Sequence, residues 1–300
     1  MKNVKQIRLT NFETLIQEAG NVAELARRCG YDKPAYLYQV RAQKVKPNGS
    51  ILQIGRHMAA KLEQGMGKPA GWLDQEHPKN HNNEVIFRQP ENQTDATSND
   101  SIQTITLAFT GASGMPYGMR LLAYLLSAGK TVYLIYSQAA QIVAQQEMDF
   151  TLPTSPNEAQ KQLCKHFQVS PAQLRVFGKN EWFAPIASGN AVADAMVICP
   201  ASMGTVAAVA HGYAETLLHR AADVCIKERR PLVIVPRETP FSALHLENLL
   251  KLAQLGCTIL PPSPGFYNRP QNITDIIDFV VARILDQLHI SHNLMPKWGH

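Results

Sequence analysis

No stretch of this 300-residue chain approaches the ~20 consecutive apolar residues that a membrane span needs. The opening residues, MKNVKQIRLTNFETL, contain no signal-peptide hydrophobic core. Cysteine is sparse: Cys29, Cys164, Cys199, Cys225 and Cys257 are scattered, odd in number and never spaced as CxxC. That pattern supports neither a disulfide framework nor a zinc ribbon, and a cytoplasmic location is the expectation. GxGxxG is absent, and no Gly-Lys-Ser/Thr follows directly on the Thr110–Gly114 turn, so neither the dinucleotide nor the P-loop fingerprint is met there. No two aspartates are adjacent, so the aspartate-rich DDxxD pairs that hold magnesium under a diphosphate are missing. His211, His219 and His245 lack metal-ligand spacing, and no metal is expected.

What is present divides in two. The apolar fraction, 45%, supports a real core, and the length suggests about two domains. Residues 1–80 carry 13 Lys and Arg against 7 Asp and Glu, whereas residues 81–300 carry 16 against 17. A basic first part joined to a neutral remainder points to nucleic acid for the first part alone.

Residues 1–75 read as helices. Phe12, Leu15, Ile16 and Ala19 keep helical spacing up to Gly20. Asn21 is placed to cap a helix over Val22–Cys29 that Gly30 stops. A third helix is expected over Lys33–Ala42, and a fourth through Ile51, Ile54, Met58, Ala59 and Leu62. Residues 76–101, rich in Asn, Gln, Pro, Asp and Ser, read as a flexible polar linker.

Residues 102–300 alternate short apolar runs with amphipathic segments. Strands are expected at Ile105–Phe109, Thr131–Tyr136, Ala195–Cys199, Leu232–Val235 and Thr258–Leu260. Helices are expected at Pro116–Ala128, Gln138–Gln146, Asn157–Phe167, Glu215–Glu228, Leu244–Leu255 and Thr274–Leu288. This alternation implies an α/β fold, a parallel sheet with helices on both faces and ligands at the carboxyl ends of its strands. The organising stretch is ITLAFTGASGMPYGMR, Ile105–Arg120. A strand, a small-residue turn (Thr110–Gly114) and a helix N-terminus in that order suit an anion, because turn N–H groups and the helix end both face it. Ser202, Met203, Gly204 and Thr205 make a second such turn. Arg220 and Lys227 lie seven apart, on one helical face. With Arg237 and Arg283 they offer forks and point charges for a phosphate monoester. Cys199 reads as strand packing, since no basic partner stands beside it.

Two resemblances follow from these motifs. NVAELARRCGYDKPAYLYQVRAQK resembles the lambda-repressor-like helix-turn-helix family, over about 70 residues. Its third helix implies DNA contact by Tyr36, Tyr38, Gln39 and Arg41, with Arg27, Lys33, Lys44 and Lys46 nearby. TGASGMPYGMRLL, YSQAAQ, QEMDF, ICPASMGT, RAADVCIKERRPLVIVPRETP, PPSPGFYNRPQ and VARILD together resemble the UbiX-type flavin prenyltransferases, over residues 102–299. That resemblance implies a flavodoxin-like, Rossmann-type sheet, reduced FMN as prenyl acceptor and dimethylallyl monophosphate as donor. The implied product is prenylated FMN for a UbiD-type decarboxylase.

Carried over onto this sequence, Gly111, Ala112, Ser113, Ser137, Ser202, Met203, Gly204, Thr205 and Arg237 contact FMN. Arg220, Lys227, Arg237, Tyr267 and Arg283 hold the prenyl phosphate. Trp182 faces the allyl group, and Ser113, Glu147 and Glu238 handle protons. The family builds its sites between subunits, commonly in a dodecamer. Two other readings stand beside this one: a flavin-sensing, DNA-binding transcription regulator, and a flavin-dependent cysteine decarboxylase of related fold.

Overall fold

The structure is a computed structural model that describes residues 4–45, 51–75, 77, 102–148 and 150–295. Apart from His77, the expected linker over residues 76–101 lies outside the described residues, as does Lys46. The chain divides into two compact units, Met1–Asn80 and His81–His300.

The first unit is helical: α1 Val4–Ala19, α2 Val22–Arg28, α3 Ala35–Arg41 and α4 Arg56–Gly65. Phe12, Leu15, Ile16 and Ala19 form one buried stripe against Val22, Leu25, Leu37, Val40 and Leu62. Gly20, at φ +97°, releases α1 into a turn that an L side chain would strain. The Asn21 side chain then accepts from Glu24 N at 2.8 Å and caps α2. Helix α3 is shorter than expected because Pro34 stands at its N-cap. The fourth helix begins five residues later than Ile51. Ile51 forms a lone antiparallel bridge with Val45, and Ile54 is buried ahead of the helix. The closing turn Trp72–Asp74 is clamped from α1 and α4. Arg8 pairs with Asp74, Asn11 donates to Leu73 O and Gln75 O, and Glu63 accepts from Gly71 N and Leu73 N.

The second unit is a six-stranded parallel sheet in the order β3-β2-β1-β4-β5-β6. Its strands are β1 Thr104–Phe109, β2 Thr131–Tyr136, β3 Leu174–Phe177, β4 Ala195–Ala201, β5 Leu232–Pro236 and β6 Thr258–Ile259. Its helices are α5 Met115–Ser127, α6 Gln138–Met148, α7 Pro156–Phe167, α8 Met203–Ala210, α9 Leu217–Lys227, α10 Ala243–Gln254 and α11 Ile273–Gln287. Strand residues alternate between two cores. Ala195, Val197 and Cys199 of β4 belong to the core shared with α5, α7 and α11, while Met196 and Ile198 belong to the one shared with α8, α9 and α10. Strand β3 was absent from the sequence-based expectation.

The chain winds outward from β1 in one direction and from β4 in the other. The carboxyl ends of β1 and β4 therefore flank a crevice where no crossover lies, which is where sheets of this kind take ligands. Gly118 makes that crevice tight. A Cβ there would sit 2.4 Å from Cys199 O and 2.8 Å from the Phe109 ring, so α5 lies directly on β1 and β4. Among the described residues no helix is long and apolar enough to cross a membrane.

Candidate active site

Two small-residue turns leave the sheet side by side, and one buried hydroxyl joins them. Thr110, only 1% exposed, donates its Oγ1 proton to Pro200 O at 2.8 Å and accepts from Ser202 N at 2.7 Å. The turn after β1 is thus fixed to the turn after β4. Arg237, one residue beyond β5, spans both: its N donates to Ala201 O at 3.1 Å and its Nε to Ser113 O at 3.3 Å. Three neighbouring strands therefore converge on one spot.

The groups facing that spot suit an anion. The backbone N–H groups of Gly111, Ala112 and Ser113 have no hydrogen-bond partner among the described residues. Helix α8 opens beside them with Ser202 as N-cap, its Oγ accepting from Thr205 N at 3.3 Å and lying 3.0 Å from Thr205 Oγ1. Among the described residues, Met203 N and Gly204 N remain as unpaired first-turn donors. A Cβ on Gly204 would meet nothing within 4 Å, so this face is open, whereas a Cβ on Gly111 would meet the Ala139 Cβ at 2.4 Å. Ser137 closes the β2 side. Its N donates to Phe109 O at 3.0 Å and its Oγ caps the start of α6 at Ala140 N.

The N-terminus of α5 already holds an anion of the protein's own. Glu147, from α6, accepts from Gly114 N at 2.9 Å and Met115 N at 2.8 Å. Its carboxylate satisfies two orphan donors and sits favourably on the helix dipole. The donors without a partner among the described residues are therefore those of the Gly111–Ser113 turn, since Glu147 takes those of Gly114 and Met115. Glu238 follows Arg237 and accepts from its own neighbour, Thr239 N, at 3.1 Å.

The remaining residues expected at the site lie on other elements. Arg220 of α9 donates Nε to Ala187 O at 3.1 Å and pairs with Asp223 at 2.9 Å. Lys227 ends α9 paired with Glu228. Trp182 is 44% exposed on the loop after β3. Tyr267 packs edge-on against Phe279 with ring centroids 5.8 Å apart. Phe279 and Arg283 line a cleft of about 420 Å³ with Thr258, Leu260, Ser263 and Gln287, beside β6 at the sheet edge. The thiols stay out of the chemistry. All five are free and buried. Burial pushes Cys225 up to about 12 and Cys257 to about 11, and Cys199 higher still. Among the described residues no three His, Cys, Asp or Glu side chains gather as a metal set. The sequence reading missed Thr110 as the joint between the turns, since its partner lies 90 residues away.

A flavoprotein family profile matches residues 93–285. The chain belongs to the flavoprotein family, among its UbiX-type flavin prenyltransferases. It is 53% identical over 197 residues to the flavin prenyltransferase UbiX of Pseudomonas aeruginosa, covering 66% of this chain and 94% of the relative. The crystal structure of AnUbiX (PadA1) in complex with FMN and dimethylallyl pyrophosphate superposes with a TM-score of 0.59. It is 34% identical and covers 66% of this chain and 98% of that one. A dodecameric FMN-dependent UbiX-like decarboxylase from Escherichia coli O157:H7 gives a TM-score of 0.57 at 35% identity, covering 66% and 99%. The helical unit lies ahead of the matched residues.

Proposed function

We propose that the second unit is a flavin prenyltransferase that joins a dimethylallyl group from dimethylallyl monophosphate to reduced FMN, giving prenylated FMN for a UbiD-type decarboxylase. The observation that carries this reading is the pair of turns joined by Thr110 and spanned by Arg237, with unpaired N–H groups at the switch point of the sheet. That cradle fits the phosphate and ring edge of FMN. Gly111, Ala112, Ser113, Ser137, Ser202, Met203, Gly204, Thr205 and Arg237 would hold it. When bound, reduced FMN supplies the electron-rich ring that accepts the prenyl group.

The protein's share of the chemistry is electrostatic. As the allyl carbon–oxygen bond breaks, the bonding pair leaves with inorganic phosphate. Arg220, Lys227, Arg237, Tyr267 and Arg283 would take up that charge. The π face of Trp182 would stabilise the cationic allyl group by about 0.5–2 kcal/mol. Glu238 would hand a proton to the departing phosphate, and Glu147 or Ser113 would accept the one released from the acceptor. The cations outnumber the carboxylates in this set, which favours a monophosphate held without metal. The crystallised relative carries the pyrophosphate, so both donors belong in the assay.

One chain does not close this set. Glu228, which pairs with Lys227, lies beside Gly189, and Pro231 O accepts from Met196 N. Both are at the amino ends of the strands, where Asp194 N donates to Thr104 O. The Gly111 turn lies at the other end of a six-residue strand, about 20 Å away. A lysine side chain does not span that distance, so Lys227 would serve a site on another copy of the chain. A homo-oligomer, a dodecamer by resemblance to the Escherichia coli structure, supplies such a copy.

Anaerobic incubation of the full chain with reduced FMN and either dimethylallyl phosphate, followed by mass spectrometry of the released flavin, tests the reading. The expected product is a flavin heavier by a five-carbon unit. Unmodified flavin that stays bound would instead support the flavin-sensing regulator.

For the helical unit, nucleic-acid binding is the reading one observation favours. Helix α3 leaves Tyr36 and Tyr38 45% and 49% exposed beside Gln39, with Lys33 and Lys44 exposed at its flanks. Arg27 and Arg41 are held instead by Glu24 and Glu13. Binding of the full chain to duplex DNA should weaken steeply with salt. Tyr38→Ala should weaken it further while leaving product formation unchanged.

A further inference from the structure

Helix α11 carries Arg283 to the cleft beside β6, and the chain beyond α11 turns back to support it. His289 adopts φ +55°, and its N donates to Asp286 O at 3.1 Å. Ile290 then buries itself in the core, with its N on Leu285 O at 3.0 Å. Ser291 O accepts from Tyr124 Oη at 3.1 Å. These three fixings deliver the His292 ring, 9% exposed, to Asp286, where Nε2 meets Oδ1 at 2.9 Å. The other carboxylate oxygen, Oδ2, takes the Arg283 guanidinium. The Nδ1 atom of His292 is buried with no partner among the described residues. The ring therefore makes a single polar contact, and that contact is with Asp286.

We propose that Asp286 and His292 are a positioning pair that holds the Arg283 guanidinium at the cleft to receive the phosphate of the prenyl donor. The proposal rests on the prenyltransferase reading of Arg283. Arg283 is 46% exposed along its side chain, so without an anchor it samples many rotamers. Asp286 fixes one Nη and leaves the other face of the fork to the cleft, next to Ser263 and Gln287. His292 in turn keeps the carboxylate from rotating away. Neither Asp286 nor His292 lines the cleft, so both act through Arg283.

The test is a double-mutant cycle on the full chain, by anaerobic steady-state kinetics with dimethylallyl monophosphate varied at saturating reduced FMN. Asp286→Asn should raise KM for the prenyl phosphate three- to tenfold with kcat within twofold. Arg283→Gln should raise it more. The double variant should match Arg283→Gln alone, because the pair has no other route to the substrate. His292→Gln should move KM in the same direction by a smaller factor, and it serves as well if Asp286→Asn does not fold. An unchanged KM in Arg283→Gln would overturn the placement of the phosphate at Arg283, and the pair with it. A raised KM in Arg283→Gln, with Asp286→Asn unchanged, lowered or contributing the same factor in both backgrounds, would overturn the pair alone. A melting temperature that falls while KM holds would likewise reduce Asp286 to a structural role.

Discussion

Thr110→Val removes the joint between the two turns and almost nothing else. The side chains are nearly the same shape, and the site is 1% exposed, so no water replaces the lost hydroxyl. Two hydrogen bonds disappear, to Pro200 O and from Ser202 N, each contributing about 1 kcal/mol net. Pro200 O keeps a second donor, Thr110 N at 3.3 Å, so Ser202 N alone is orphaned, at a further cost of about 1–2 kcal/mol. The expected loss is roughly 3–4 kcal/mol, or about 6–16 °C in the melting midpoint of a unit this size. Function should suffer more than stability. The Gly111–Ser113 turn and the start of α8 would no longer share a fixed spacing, and FMN affinity should fall at least tenfold. Thr110→Ser keeps the hydroxyl and should bind FMN within threefold of the parent. Denaturant unfolding followed by circular dichroism gives the first quantity, and quenching of flavin fluorescence gives the second. A Thr110→Val protein that loses the full stability yet binds FMN normally would refute the argument. The joint would then be structural, and the flavin turns would owe their spacing to something else.

Other outcomes follow from the same geometry. Gly111→Ala places a Cβ 2.4 Å from the Ala139 Cβ, so the first turn of α6 must move, and a titration should show FMN affinity falling at least tenfold. Arg120→Met leaves Asp278 buried without its fork, both side chains being under 15% exposed, and should cost about 3–5 kcal/mol in urea unfolding. The native chain at pH 8 should release less than one equivalent of thiol to an aromatic disulfide reagent and all five after unfolding, because burial holds every thiol protonated. Acid should loosen the helical unit. Hydrogen bonds from Arg27 and Arg28 hold Glu24 down to about 2, and Arg8 lowers Asp74. A carboxyl depressed on folding stabilises above its unfolded pKa, near 4, and loses that contribution as pH falls through its folded value. Amide protection in residues 4–75, corrected for intrinsic exchange, should therefore fall between pH 4.5 and 2, and Asp74→Asn should flatten the change.

Most of the sheet was legible because its strands are unbroken apolar runs bounded by turn residues, and Thr131–Tyr136 has the limits the sequence indicated. Strand β3 was not, and Arg175 explains why. A cation in the middle of a four-residue strand breaks the apolar signal. In the fold its guanidinium lies 4.9 Å over the Phe177 ring and 5.7 Å over Tyr133, contacts that no local pattern announces. The fourth helix was placed too early for a related reason. Ile51 and Ile54 are three apart, a helical interval, yet Ile51 pairs with Val45 as extended chain.

The site divides along the same line. Its turns could be read, because small residues between a strand and a helix have one common use. Contacts that span 90 or 32 residues, Thr110 to Pro200 and Met115 to Glu147, could not. Arg220 and Lys227 show where periodicity stops informing. Their spacing of seven gives a shared face, and α9 does carry both. It says nothing of direction, and a crossover helix in a parallel sheet runs from the carboxyl ends of the strands back to the amino ends. Lys227 is therefore carried away from the Gly111 turn by the same connection that makes the sheet parallel. A cation at that end serves a phosphate only if another chain brings one to it. The separation of these residues within one chain is thus a physical argument for assembly, independent of any relative's oligomeric state. Lys227→Ala mixed with an Arg237→Ala chain tests it. Each variant alone should be inactive, and mixed oligomers should regain activity where an intact Lys227 from one chain meets an intact Arg237 from the other. Mixed oligomers with no regained activity would place both cations in a single chain's site.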